Sequence, residues 1–171
     1  MYNLLITLND KYSEMCLYNK KGDVKNKTLI DNNIIEKISM HKWNLDNHTG
    51  YVRTKINKKT IYLHRFILDI NDKDSIIDHI NNNKLDNRVE NLRVCNKSKN
   101  AMNVKNLKSN NTSSVTGVTW DKSRNKWIAQ INVNKKHIHL GRFDDFKEAT
   151  KVRLKAEKKY FKEFAPIRKG E

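Results

Sequence analysis

An aspartate and a histidine stand side by side at Asp78-His79, within a segment, residues 76–103, that reads IIDHINNNKLDNRVENLRVCNKSKNAMN. Ile76-Ile77 predicts a short strand running straight into the pair, and on extended backbone adjacent side chains leave on opposite sides. One of the two can then hold a metal while the other faces a water. An imidazole that is neutral near pH 7 can take a proton, and a hard divalent cation takes oxygen ligands such as carboxylates and amide carbonyls. The Asn-rich loop that follows should fold back on itself, and residues 97–104 predict a short helix, capped by Asn96 or Ser98, on which Asn100 could face Asp78. Taken singly, each of these residues is better explained by turn chemistry, which favours Asn and Asp; the information lies in their joint spacing.

Such groups need a scaffold. Upstream, residues 51–56 (YVRTKI) and 60–66 (TIYLHRF) flank Asn57-Lys58-Lys59 and read as a β-hairpin. Residues 2–8 (YNLLITL) are β-like, and 31–39 (DNNIIEKIS) could be a helix opened by an Asx cap. Downstream, residues 115–120, 126–133 and 136–140 form three short β-runs separated by 121–125 and by an Asn134-Lys135 turn. Residues 146–164 carry Ala149, Val152, Ala156, Tyr160 and Phe164 at helical spacing, about five turns, and Pro166 ends the run. Strand alternation turns Val118, Trp120, Trp127, Ala129, Ile131, Ile138 and Leu140 toward Ala149, Val152 and Ala156. The opposite face then presents Thr119, Lys126, Ile128, Gln130, Asn132, His137 and His139. Between the two regions, residues 103–114 (NVKNLKSNNTSS) are polar and without aromatic residues, as in a linker or surface loop.

The first constellation resembles the HNH nucleases, specifically the phage-type HNH homing endonucleases. Asp78-His79, Asn91 of Glu90-Asn91-Leu92 and Asn100 carry the resemblance, together with the Leu63-His64-Arg65 run upstream. It implies a ββα-metal finger of hairpin, loop and helix around one divalent cation, Mg²⁺ first and Mn²⁺ as the alternative. By that resemblance His79 is the general base, Asp78 and Asn100 are the metal ligands, and Asn91 pins the loop that presents His79. The last position is Asn100 where other members have His, a variation shared by the homing branch. Phosphodiester hydrolysis needs an activated water, stabilisation of charge on the phosphorane and help for the leaving 3′ oxygen, and these groups can supply them. His64 and Arg65 are accessory candidates; His64 either hydrogen-bonds within the finger, the favoured reading, or touches phosphate. His41, His48, His137 and His139 form no metal-ligand spacing with cysteine.

Residues 113–165 resemble an AP2/ERF-type DNA-binding domain through Gly117-Val118 with Trp120, Trp127-Ile128-Ala129-Gln130-Ile131, Leu140-Gly141-Arg142-Phe143 and the Ala- and Tyr-containing helix. The resemblance implies a three-stranded sheet in the DNA major groove with the helix packed behind it. Gln130 and Asn132 suit adenine edges, and Arg124, Lys126 and Arg142 suit phosphate or guanine. Plant members commonly show arginines and a tryptophan where this chain has Thr119, Asn132 and His139, so their GC-rich preference does not carry over. The expected fold class is α+β, with an N-terminal module over 1–105 holding the nuclease finger (about 50–105), a linker at 106–112 and an AP2-like module over 113–171.

Charge supports a polyanionic partner. The 171 residues hold 35 Lys+Arg against 19 Asp+Glu, a net +16, divided as +8 in residues 1–112 and +8 in residues 113–171. Double-stranded DNA relieves such repulsion by counterion release. No apolar run reaches membrane-spanning length, the first ten residues lack the pattern of a secretory signal, and Cys16 and Cys95 stand alone without a CxxC. The expectation is a monomeric enzyme of a reducing cytoplasm, in a phage-infected or bacterial cell: a homing-type endonuclease that nicks one DNA strand. The rival is a sequence-specific DNA-binding regulator whose finger is inert. An RNA-binding protein is weaker, because no aromatic stacking platform is evident.

Overall fold

A computed structural model describes residues 3–103, 111 and 113–166. The expected linker at 106–112 lies outside the described residues apart from Asn111. The chain divides into two compact units, Met1–Asn96 and Lys97–Glu171, each mixing short helices with small antiparallel sheets.

In the first unit, β1 (Leu5–Thr7), β2 (Tyr12–Tyr18) and β3 (Val24–Asp31) form one antiparallel sheet in that order. A short helix α1 (Ile35–Ser39) leads to a second sheet of β4 (Asn44–Leu45), β5 (Val52–Ile56) and β6 (Lys59–Tyr62). Met15, Leu17, Ile30, Ile38, Trp43, Val52 and Leu63 make the core between these elements. The β5–β6 turn is tighter than expected, two residues, with Asn57 and Lys58 at φ 49° and 66°, as a twisted hairpin requires. The second β-run stops at Tyr62, however, and Leu63–Ile67 is helix α2. Leu63, Phe66 and Ile67 reach the core at i, i+3 and i+4, a helical spacing that a short apolar run conceals. The last pair, β7 (Ile76–His79) and β8 (Leu92–Cys95), is antiparallel and encloses the Asn-rich loop.

The second unit begins with helix α3 (Lys97–Met102), which the sequence pattern assigns to the N-terminal module. Its Met102 packs with Ile131, Ala156 and Phe161, and the Lys99 ammonium lies 4.9 Å from the Phe164 ring centroid. Three strands, β9 (Val118–Asp121), β10 (Lys126–Val133) and β11 (Lys136–Phe143), form a sheet with β10 central, against which α4 (Phe146–Phe161) packs. The Asp145 carboxylate caps α4 by accepting from the Glu148 N–H at 2.9 Å, and Lys162 at φ 50° ends it three residues before the expected stop. Gly117 is required: at φ +78° a Cβ there would lie 2.3 Å from the Gln130 carbonyl oxygen.

Two core expectations are corrected. Trp120 is 40% exposed, because Phe146 covers its cross-strand partner Trp127 and leaves Trp120 at the rim of an edge strand. Val152 is only half-buried, and alongside the expected Ala149 and Ala156 the buried face of α4 includes Arg153 and Glu157, which are joined in an ion pair at 2.7 Å.

Candidate active site

Strand β7 delivers Asp78 and His79 at its end, opposite Arg93 and Leu92 of β8. Both are buried, Asp78 at 7% exposure and His79 at 4%. A buried carboxylate needs a partner, and Arg93 provides one across the ladder: its Nη2 and Nε donate to Asp78 Oδ2 at 2.6 and 2.9 Å.

The loop from 80 to 91 is closed by Asn91. Its Oδ1 accepts from the Asn81 N–H at 3.0 Å, while its Nδ2 donates to Asn81 Oδ1 at 3.1 Å and to the Asp86 carbonyl at 2.8 Å. The Ile80 N–H adds a bond to the Asn91 carbonyl at 2.9 Å, so one side chain and its backbone tie the two ends of the loop. Inside it, Asp86 accepts from Arg88 and from Asn81 Nδ2. Burial opposes the Asp86 charge, but the Arg88 hydrogen bonds and charge more than offset it and hold the carboxyl below its ordinary value. Strand β3 fastens the loop from outside: Leu29 N–H donates to the Leu85 carbonyl, Asn87 N–H to the Leu29 carbonyl, each at 2.8 Å, and Val89 N–H to Asp31 Oδ2 at 2.7 Å.

His79 sits in an aromatic wall. Tyr51 lies near-parallel to it at 5.8 Å between centroids, and His64 meets it edge-on at 5.4 Å. On its other side Nε2 is 3.3 Å from Asn87 Oδ1. Burial holds the His79 imidazole below the ordinary histidine value, against the opposing pull of Asn87 and of the Asp78 and Asp86 charges, so it is neutral at pH 7. His64 is pushed down to about 3, mainly by burial and then by the neighbouring His79 and Arg65 charges. Tyr51 is raised, by burial first and then by the Asp78 charge. A neutral imidazole held among aromatic rings, next to a carboxylate in the chain, is suited to accept a proton from water.

Among the described residues, no group of three or more His, Cys, Asp or Glu is gathered to hold a metal. The donors named from sequence, a carboxylate at Asp78 and an amide at Asn100, are hard oxygen ligands and fit a divalent cation of the Mg²⁺ type that keeps several waters. Asn100 stands on α3, in the second unit. Arg65 has a structural task, its guanidinium donating to the carbonyls of Ser75, at 2.8 Å, and Asp72, which fastens the approach to β7. His64 lies beside His79 with Nδ1 buried and without a hydrogen-bond partner among the described residues.

In the second unit, register gathers the sheet-face candidates. Gln130 pairs with His139, Asn132 with His137, and Ile128 with both Thr119 and Arg142, so these seven side chains share one face. A bulge between Ala129 and Gln130 shifts the parity of β11 and carries Arg142 onto the side of His139, which strict alternation denies. His137 Nε2 is 2.9 Å from Gln130 Oε1. Lys126 is paired with Asp144 at 2.6 Å and Arg124 with Asp121 at 3.2 Å.

Sequence reasoning missed Arg93, Tyr51, Asn87 and Thr28. Arg93 could have been found from the β7–β8 register, since a buried Asp calls for a facing cation. Asn87 had a weaker signal, the need of a buried imidazole for a partner, and was hidden among many asparagines. Thr28 had none, because it lies 59 residues from Asn87.

Residues 69–102 match the HNH endonuclease family, a match that supports a nuclease acting on DNA. Over 92 residues the chain is 33% identical to "Protein 3.8" of Escherichia phage T7, a stretch that makes up 54% of this chain and 74% of that protein. No solved structure matches it. Among the described residues no helix is long and apolar enough to cross a membrane. The chain belongs to the family of Protein 3.8 of Escherichia phage T7, and the part of it that carries Asp78, His79 and Asn91 matches the HNH endonucleases.

Proposed function

We propose that this protein is a homing-type, metal-dependent DNA endonuclease that cuts one strand and is directed to its site by the sheet face of its second unit. The carrying observation is the buried His79, next to Asp78 at the end of β7 and inside the HNH match. His79 takes the proton of the attacking water, Asn91 holds the loop that presents it, and Asp78 with Asn100 hold one divalent cation, Mg²⁺ before Mn²⁺. When bound, the cation supplies charge stabilisation at the phosphate and the leaving oxygen. In this reading the β7–loop–β8 hairpin is the strand part of a ββα-metal finger, and the segment that carries Asn100 supplies its helix.

Thr119, Gln130, Asn132, His137, His139 and Arg142 then meet base edges and phosphates in the manner of an AP2-like reader, with Arg124 and Lys126 beside them. Half of the net charge, +8, belongs to residues 113–171, which fits a backbone-binding module. One DH…N…N constellation per chain implies one cut per bound monomer. The enzyme acts in the cytoplasm of a phage-infected or bacterial cell. The rival, a DNA-binding regulator with an inert finger, draws on the existing Asp78–Arg93 pair.

The test is a duplex target labelled separately at each strand end and incubated with protein, with and without Mg²⁺. Mg²⁺-dependent cleavage of one strand at a fixed position supports the reading. Binding without cleavage in Mg²⁺ or Mn²⁺ favours the regulator, and simultaneous cuts in both strands at first-order protein dependence refute the nicking monomer.

A further inference from the structure

Asn87 is the one side chain whose amide oxygen meets His79 Nε2 among the described hydrogen bonds, and it is itself 1% exposed. Which way its amide points follows from the other end. Asn87 Nδ2 lies 3.2 Å from the Lys84 carbonyl oxygen, an atom that only accepts, and 2.9 Å from Thr28 Oγ1. The Thr28 hydroxyl gives its own proton to the Leu85 carbonyl at 2.8 Å, so toward Asn87 it too accepts. Two acceptors therefore claim the NH₂ group, and the oxygen is left facing His79. An amide oxygen cannot donate, so the proton between them belongs to the imidazole.

We propose that Thr28 and Asn87 are positioning residues that hold His79 as the Nε2–H tautomer, making Nδ1 the atom that takes the proton of the attacking water. The assignment of a base role to His79 rests on the nuclease reading above; the tautomer itself does not. In the step it serves, the water oxygen bonds to phosphorus as its proton passes to Nδ1, and the bond from phosphorus to the leaving oxygen breaks. The leaving oxygen takes a proton from solvent, and the imidazolium returns its extra proton to solvent. Throughout, Nε2–H stays on Asn87 Oδ1, which also steadies the positive charge, the role a third group plays in base–orienter pairs generally. Thr28 is buried on β3, so the first sheet of the unit reaches the reacting centre through two hydrogen bonds.

The test is long-range ¹H–¹⁵N spectroscopy of full-length protein labelled in histidine nitrogen, without metal or DNA, with His79 signals assigned by their loss in His79→Gln. The unmutated protein should show His79 with Nε2 protonated and Nδ1 bare. Asn87→Ala should turn this into a mixture of tautomers and slow cleavage by about 10-fold or more, the usual effect of removing such a partner. Asn87→Asp, which keeps an acceptor at the same place, should retain the Nε2–H pattern. An Nδ1–H tautomer in the unmutated protein overturns the proposal, as does a folded Asn87→Ala protein that retains pure Nε2–H. Should Asn87→Ala fail to fold, the tautomer of the unmutated protein decides. A protein with the Nε2–H pattern that never cuts DNA sinks the nuclease reading and leaves the tautomer assignment standing.

Discussion

His64 illustrates how burial converts a side chain into a pH-dependent contribution to stability. In the fold it titrates at about 3 against 6.5 for an unperturbed histidine, with Tyr51, Tyr62 and His79 around its ring and Arg65 beside it in α2. Its folded pKa is depressed, so the unfolded chain binds the proton more readily. The stability that neutral His64 contributes is complete above pH 6.5 and is lost as pH falls from 6.5 toward 3. The slope approaches about 1.4 kcal/mol per pH unit at most. His64→Phe should flatten the fall in stability between pH 6 and pH 4 by roughly one proton, measured by urea unfolding at several pH values. An unchanged slope would show that His64 is not the group that charges on unfolding.

Among the elements, the loop between β7 and β8 is held by one side chain more than by any regular structure. Asn91 closes it with three hydrogen bonds, and Asn91→Ala leaves the Asn81 N–H and the Asp86 carbonyl without those partners. A loss of about 1–3 kcal/mol is expected, together with a slower cut, checked by denaturant unfolding and a cleavage time course on the same sample. This part of the site was legible because Asp78, His79 and Asn91 lie within 14 consecutive residues, and loop closure over so short a stretch depends on residue types that sequence displays. What positions the loop was not legible. Strands β2 and β3 bury Ser13 and Thr28 alongside Met15, Cys16, Leu17 and Ile30, so neither period-two alternation nor an apolar run marks them. Helix α2 resembles strand in the sequence because YLHRFI is too short for its period to show. In the second unit the three strands and the long helix were legible from alternation and spacing. The bulge that redirects Arg142 and the buried Arg153–Glu157 pair were not, since both arise from tertiary packing.

At the scale of the whole molecule, α3 joins the proposed Asn100 ligand to the second unit through Met102 and Lys99, so cutting the chain at residue 113 would strip that helix of its packing as well as remove the proposed reader. Point changes separate the two roles more cleanly. Gln130→Ala with Asn132→Ala should relax site preference by about 1–3 kcal/mol for each base that is no longer recognised, while Mg²⁺-dependent cutting of non-target DNA continues at its former rate. Competition between target and random duplexes measures this, and an unchanged preference would remove the sheet face from recognition. The central claim is that His79 is the base of a DNA-cutting centre, and the most direct measurement is conversion of supercoiled plasmid to nicked circle by unmutated protein and His79→Ala, with DNA binding followed in parallel. Nicking that needs Mg²⁺ and falls at least about 100-fold in His79→Ala at unchanged DNA affinity is the predicted result. Equal cleavage by His79→Ala, or none by the unmutated protein with any divalent cation while it binds DNA, would contradict it.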